Sequence, residues 1–361
     1  MKTTITALCL LSLTSLPVAA AEFCVGTATE LRNALNIASG NNQDDDIRVE
    51  LGVFASNGST FQYNETQGFD LRISGGWIDF FDNDCGIQSP NQPLGTILDG
   101  SETTRALYIR ASGDADIEVT NLTFRNGVSS QSGGGLNIVR VNNLNSGEVT
   151  IANNVFISNQ ATFGSAMSVS SADTFHLRNN LVIDNNALVR YAVQVVQNDA
   201  NGIYFNNNTV TGNTSDLLDE SGGVYLSTSG SSNLLVANNV LNGNQLQDLD
   251  GRNSASSVFY LFDNNLDVLT GSAPDVVSGN FNLPNRFESG LFSFTPDVDS
   301  PLVNAGRSPC GMVCPFPTPF VNDWSLGDTD VLAQGRVQIG VVDIGAIESG
   351  HARDLIFWDR F

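Results

Sequence analysis

Lysine is all but missing from this chain: Lys2 is the single one, and every other basic residue is an arginine. Against 38 acidic residues there are only 16 basic ones, so the formal net charge is −22 and the pI is near 4.1. Such a surface repels nucleic acid and anionic membranes, which excludes functions built on polyanion contact. It favours solubility and can hold divalent cations. Histidine is scarce too, at His176 and His351 only, leaving few imidazoles for proton transfer or metal ligation. Long apolar runs are absent beyond the N-terminus. There, Lys2 precedes an apolar stretch from Ile5 to Leu16 and then small residues up to Ala21. Residues 1–21 therefore read as a secretory leader cut before Glu22, too short to span a bilayer. Its removal takes the charge from −22 to −23, because Lys2 is its one charged residue. No transmembrane segment is expected after it. Lipidation is not expected either, since Cys9 lies inside the apolar stretch and Cys24 follows Ala-Glu-Phe.

Four cysteines then remain: Cys24, Cys85, Cys310 and Cys314. An even count in an exported chain points to disulfides, and three pairings are possible. Proximity within each terminal region favours Cys24–Cys85 and Cys310–Cys314. Zinc at the Cys-x-x-x-Cys pair is disfavoured, because no histidine or third cysteine lies close by.

What the chain has in abundance is a repeat. Asn121, Asn153, Asn179, Asn207, Asn238 and Asn264 each follow, by four residues, the first member of an alternating apolar pair. The pairs are Ile117/Val119, Val149/Ile151, Phe175/Leu177, Ile203/Phe205, Leu234/Val236 and Tyr260/Phe262, and the asparagines are 32, 26, 28, 31 and 26 residues apart. Alternation marks a strand with one buried face, and this period marks stacked units. A second asparagine (Asn126, Asn159, Asn185, Asn213 or Asn244) follows five or six residues later, and a third strand closes the first four units, as in Gly135-Leu-Asn-Ile138. Three short strands per unit describe one coil of a parallel β-helix. A β-propeller would need hairpins and longer blades. Asparagine tolerates the left-handed backbone of a sharp corner, and stacked asparagines can bond from coil to coil as a register-holding ladder.

The expected organisation is a leader at 1–21, an N-terminal cap and first coils at 22–116, repeats at 117–284, a closing region at 285–350 and a tail at 351–361. In the cap, Thr27-Ala-Thr-Glu30 fits a capping box, with Leu31, Ala34, Leu35 and Ala38 at helical spacing and Gly40 as a stop. This amphipathic helix covers one open end of the stack. The closing region is expected to cover the last coil, and the tail to form a short separate element, such as a strand.

Gly133-Gly-Gly-Leu136 with Phe156-Ile-Ser-Asn159 resembles the repeat of polymorphic outer-membrane proteins. Asp299-Ser-Pro-Leu-Val-Asn-Ala-Gly306 with Asp343-Ile-Gly-Ala-Ile-Glu348 resembles the exported choice-of-anchor Q β-helix proteins. Both resemblances imply an all-β, right-handed parallel β-helix of the pectate-lyase-like kind at a bacterial cell surface or outside it. They imply little about activity, since that fold hosts enzymes, adhesins and passive surface proteins. The residues after the repeats are too few for an autotransporter barrel.

Candidate chemistry is thin. Arg125, Arg140, Arg178 and Arg190 recur roughly as the coils do. His176 lies between Phe175 and Leu177 and is expected to point outward. Neither histidine has a Gly-His-Gly context, and no Gly-x-Ser-x-Gly elbow occurs. Asp-x-Asp pairs stand at Asp82/Asp84, Asp248/Asp250, Asp297/Asp299 and Asp328/Asp330. Of these, Asp297, Asp299, Asp328 and Asp330 are the calcium candidates, structural rather than catalytic. No cofactor is expected beyond that ion. Two functions remain: a non-catalytic surface that adheres to a polysaccharide or cell-surface glycan, or a lyase or hydrolase of acidic polysaccharide with a cleft near 125–140, 186–201 and 214–222.

Overall fold

The computed structural model describes residues 20–79, 85–89, 94–141, 147–198, 201–290, 293–308, 325–338 and 341–351. Most of the expected leader, Asp82, Asp84, Cys310, Cys314 and the tail from 352 lie outside the described residues.

The chain winds into a parallel β-solenoid. One coil runs through Ile117–Thr120, Thr123–Arg125, Val128–Ser132 and Leu136–Val141. The next repeats the course through Glu148–Ala152, Val155–Ile157, Gln160–Phe163 and Met167–Ser171. Stacking builds four sheets, numbered here in the order a coil visits them: eleven strands in sheet 1, eight in sheet 2, four in sheet 3 and eight in sheet 4. Among the described residues, the single antiparallel pairing between named strands joins Ile87–Gln88 to Leu71–Ile78. Sheet 3 makes four strands per coil in the middle of the stack, where the repeat pattern indicates three. Its first strand, Val-Ser-Ser-Gln-Ser, is mostly polar and leaves no apolar alternation to read.

Register aligns the inward columns from coil to coil. Ile117, Val149, Phe175, Ile203 and Leu234 stack in one column of sheet 1, and the Phe124 and Phe156 rings stack 4.8 Å apart on sheet 2. The sixth apolar pair departs from expectation. Leu234 pairs with Phe259 and Val236 with Leu261, so the inward pair is Phe259/Leu261 rather than Tyr260/Phe262. Tyr260 and Phe262 instead pack outside with Leu235 and Ala237. The run Val258–Phe262 is apolar throughout, so alternation cannot choose between faces, and a one-residue slip exchanges them.

The corners explain the asparagines. Asn121, Asn153, Asn179, Asn207 and Asn238 all adopt left-handed backbone, with φ between 54° and 57°. The sixth corner is Asp263, at φ 51°, and Asn264 follows it. The ladder lies one residue past the corners, at Asn154, Asn180, Asn208, Asn239, Asn264 and Asn280. Each of the first five donates its side-chain N–H to the Oδ1 of the next member, at 2.8–3.3 Å. That same Oδ1 also accepts the preceding member's backbone N–H, and a strand carbonyl takes the remaining side-chain proton, as when Asn180 donates to Ile151 O at 2.8 Å. A second ladder runs Asn159–Asn185–Asn213–Asn244 and ends on Asp248, again one residue after a corner row that includes Asn126 and Ser158. A left-handed residue turns its side chain away from the interior, so only its successor can stack inside.

The helix spans Ala28–Ala38, with Thr27 as N-cap and Leu31, Ala34, Leu35 and Ala38 buried against the first coil. Glu30 returns the cap by accepting the Gly26 N–H at 3.0 Å. Cys24 and Cys85 form a disulfide. At the other end, Val277 is in register with inward Leu261, yet it is 57% exposed. The described C-terminal residues lie along the side of the stack instead, at the corner between sheets 1 and 2. There Asn238 bonds Arg307 in both directions at 2.8 Å, Asn207 donates to Asp343 O at 3.3 Å, and Asn179 donates to Thr329 O at 2.9 Å.

Two substitutions separate the roles of ladder and corner. Asn208→Ala leaves buried amide groups of neighbouring coils unpaired and is expected to cost about 2–4 kcal/mol. Asn121→Ala puts an ordinary residue in a left-handed corner (φ 57°) that lies outside the grip of the returning segment, and is expected to cost about 1–2 kcal/mol. Urea unfolding midpoints give the order, and a costlier Asn121→Ala would refute the ladder as the register-holding element.

Candidate functional site

The four arginines of the repeat lie on four different sheets. Arg125, on sheet 2, is bound to Asp99 at 2.6 Å. Arg140, on sheet 4, is fully buried, paired with Asp173 at 3.2 Å, and donates to the carbonyls of Gly113 and Ala115. It braces a turn. Arg190, on sheet 3, pairs with Glu220 at 3.1 Å. Arg178, at the end of a sheet 1 strand, donates to Ser325 Oγ at 2.8 Å.

The calcium candidates are not gathered either. Asp330 is buried and its carboxylate accepts the backbone N–H groups of Leu332, Gln334 and Glu348, at 2.7–2.9 Å, so it braces a loop. The Asp297 carboxylate accepts a long bond from the Asp299 N–H, at 3.4 Å, while its carbonyl accepts the Ser300 N–H at 2.8 Å. Asp248 ends the second ladder, and Asp250 holds Arg252 and the Tyr191 hydroxyl. Among the described residues, the one trio of potential ligand side chains within 4.8 Å of one another is Cys24, Glu50 and Cys85, two of which share the disulfide.

Side chains do converge on the outer face of sheet 1. Strands Glu148–Ala152 and Thr174–Arg178 pair Glu148 with Thr174 and Thr150 with His176. Because Val149, Ile151, Phe175 and Leu177 face inward, Glu148, Thr150, His176 and Arg178 share the outer face. The His176 ring stacks on Tyr204, its register partner in the next coil, with centroids 4.9 Å apart, and its Nε2 lies 3.6 Å from Glu148 Oε2.

The second wall comes from a segment far along the chain, with Ser325 147 residues beyond Arg178. Ser325–Asp328 crosses the corner, held where Asn179 donates to Leu326 O at 3.1 Å and Asn153 donates to Thr329 Oγ1 at 3.2 Å. Gly327 has φ +78°, and a Cβ on it would lie 2.9 Å from Arg178 Nε, so glycine permits this close approach. Between the walls is a polar cleft of about 450 Å³, lined by Glu148, Thr150, His176, Arg178 and Ser325–Asp328. His176 and Arg178 were visible in the sequence as candidates. Asp328, a calcium candidate of the sequence, joins them through the returning segment, Glu148 joins through strand register alone, and the loops near 125–140, 186–201 and 214–222 do not line this cleft.

The returning segment is anchored by burial. Val331, Ala346 and Ile347 pack on Val155, Leu181 and Ile183 of sheet 2. Behind them a fully buried Arg336 meets Glu348 at 3.2 Å and donates to the Asp343 and Gly345 carbonyls. Glu348 in turn accepts the Asp343 N–H at 3.0 Å. Burial pushes the Glu348 carboxyl up to about 8, with Asp343 and Asp330 adding to the effect and Arg336 opposing it.

The chain matches no known family model, no curated protein and no solved structure. The cleft is therefore read from its own chemistry.

The Glu348 shift gives a signed prediction. The folded chain keeps this proton between the ordinary carboxyl range and pH 8, whereas the unfolded chain releases it. This contribution to stability is fully present below the unfolded pKa and is lost as pH rises through the folded one, with a limiting slope of about 1.4 kcal/mol per pH unit. Glu348→Gln removes it. Denaturant midpoints between pH 5 and 8 are expected to fall more steeply for the parent than for the variant, and parallel profiles would contradict the shift.

Proposed function

We propose that this is an exported β-solenoid that contacts glycans through the sheet 1 cleft without catalysing a reaction on them. The observation that carries this reading is the convergence of Glu148, His176, Arg178 and Asp328 along one polar cleft. Carboxylate, imidazole and guanidinium groups held on rigid strands suit a hydroxyl-rich ligand, which binds through several modest hydrogen bonds. The −22 charge disfavours polyanions, so a neutral polysaccharide or cell-surface glycan is the expected ligand. Export is supported by the leader-like N-terminus and by the Cys24–Cys85 disulfide, which suits an oxidising compartment. Kinship with pectate-lyase-like surface proteins belongs to the same proposal and rests on the sequence resemblances alone.

A second reading has one observation in its favour. Two carboxylates, Glu148 and Asp328, share the cleft with Arg178, and paired carboxylates are the general requirement for glycoside hydrolysis. Purified protein on an array of neutral and uronate glycans tests the first reading. Binding to neutral glycans is expected, weakened about tenfold or more in His176→Ala and Arg178→Ala. No retention on any glycan by the folded protein would remove that reading. Incubation with pectin, alginate and chondroitin, with and without calcium, tests the second. New unsaturated or reducing ends that disappear in Arg178→Ala would establish catalysis.

A further inference from the structure

A separate surface lies where sheet 3 ends at Thr214–Ser215. The turn that follows carries Leu217 and Leu218, 42% and 88% exposed. Isolated exposed leucines are ordinary on protein surfaces. This pair differs because the turn beneath it is fixed on every side. Asp216 N–H donates to Ala187 O at 2.8 Å, Leu217 N–H to Ser215 Oγ at 3.1 Å, and Glu220 N–H to Leu217 O at 3.1 Å. From the next coil, Gln245 donates its side-chain N–H to the carbonyls of Leu217, at 2.8 Å, and Glu220, at 3.2 Å. The leucines are thus presented by a braced turn.

Leu246, beside that bracing glutamine, is a third exposed leucine, at 50%. Its φ is 60°, which is costly for a side-chain-bearing residue that cannot bond its own backbone. Strain of this kind persists where the surroundings impose it, and it clusters at functional surfaces. Around the leucines, Asp216 and Asp219 are exposed, while the neighbouring cation, Arg190, is paired with Glu220. Exposed carboxylates thus frame the Leu217–Leu218 pair directly in sequence.

We propose that Leu217, Leu218 and Leu246 form a docking surface for a protein partner whose contacting segment sets basic side chains around apolar ones. The charge of the frame selects the partner's sign, and the braced turn limits the ordering entropy that docking costs. This surface is distinct from the sheet 1 cleft and does not rest on the glycan reading.

The probes are two synthetic peptides, one alternating lysine with leucine and one alternating glutamate with leucine, each titrated onto the full chain. The lysine peptide is expected to bind, more weakly as salt is raised, and the glutamate peptide is not. A Leu217→Ser, Leu218→Ser double variant should lose about tenfold or more in affinity, whereas Leu283→Ser, at an exposed leucine elsewhere, should bind as the parent does. Because the whole chain is acidic, the comparison between these variants carries the test. Equal binding by the double variant and the parent would overturn the proposal. Leu246→Gly supplies an independent readout: removing the backbone strain should raise the thermal midpoint while weakening peptide binding. A lowered midpoint with unchanged binding would mean that Leu246 is held for structure alone, and would overturn its place in the surface.

Discussion

Coil stacking in this protein depends on a buried amide that bonds to the coil after it and to the coil before it at once. Inside the row, a ladder asparagine hands two protons, backbone and side-chain, to the Oδ1 of the next coil's member, accepts the same two from the previous coil, and gives its remaining side-chain proton to strand carbonyls. The consequence appears in the spacing. Successive members of the first ladder are 26, 28, 31, 25 and 16 residues apart, yet they remain in hydrogen-bond contact. Variation in coil length is therefore forced away from this corner, into sheet 3 and the turns that return the chain to sheet 1. Parallel strands tolerate such variation elsewhere because one corner fixes rise and register for the whole coil.

The corner residues just before the ladder have the opposite orientation and a different use. Their left-handed backbone aims the carboxamides at the exterior, where Asn153, Asn179, Asn207 and Asn238 bond the returning C-terminal segment. Two adjacent asparagines thus divide the work: one holds coil to coil, the other holds the coils to the segment. The cleft on sheet 1 is a product of that second set of bonds, since Asn153 and Asn179 place Ser325–Asp328 opposite His176 and Arg178. Scaffold and candidate site meet at the same corners.

Much of the fold was legible because its signals are local. The capping box at Thr27–Glu30, the buried face of the helix and the inward pairs of the first five repeats each lie within a few residues of sequence. The asparagine pattern was legible as a motif but ambiguous by one position, since a corner and its successor are both asparagine in most coils. Only backbone conformation separates them. The slip at Phe259–Phe262 has a similar origin, because an unbroken apolar run gives alternation nothing to act on. The candidate site was least legible. His176 announces its outward direction through its neighbours, but Glu148 and Asp328 come to line one cleft only across distant parts of the chain, through a segment the sequence presents as an end cap.

That returning segment also changes the mechanics of the stack. In a plain solenoid each coil touches only its neighbours, so ends fray and units come apart in sequence. Here a single stretch of chain grips the corners at Asn153, Asn179, Asn207 and Asn238, and its apolar residues cover sheet 2 across several coils. It acts as a splint across those turns. The coils under it are coupled beyond nearest neighbours, so they open together as one cooperative block. The turns nearer the helix, outside its span, retain the freedom to open on their own.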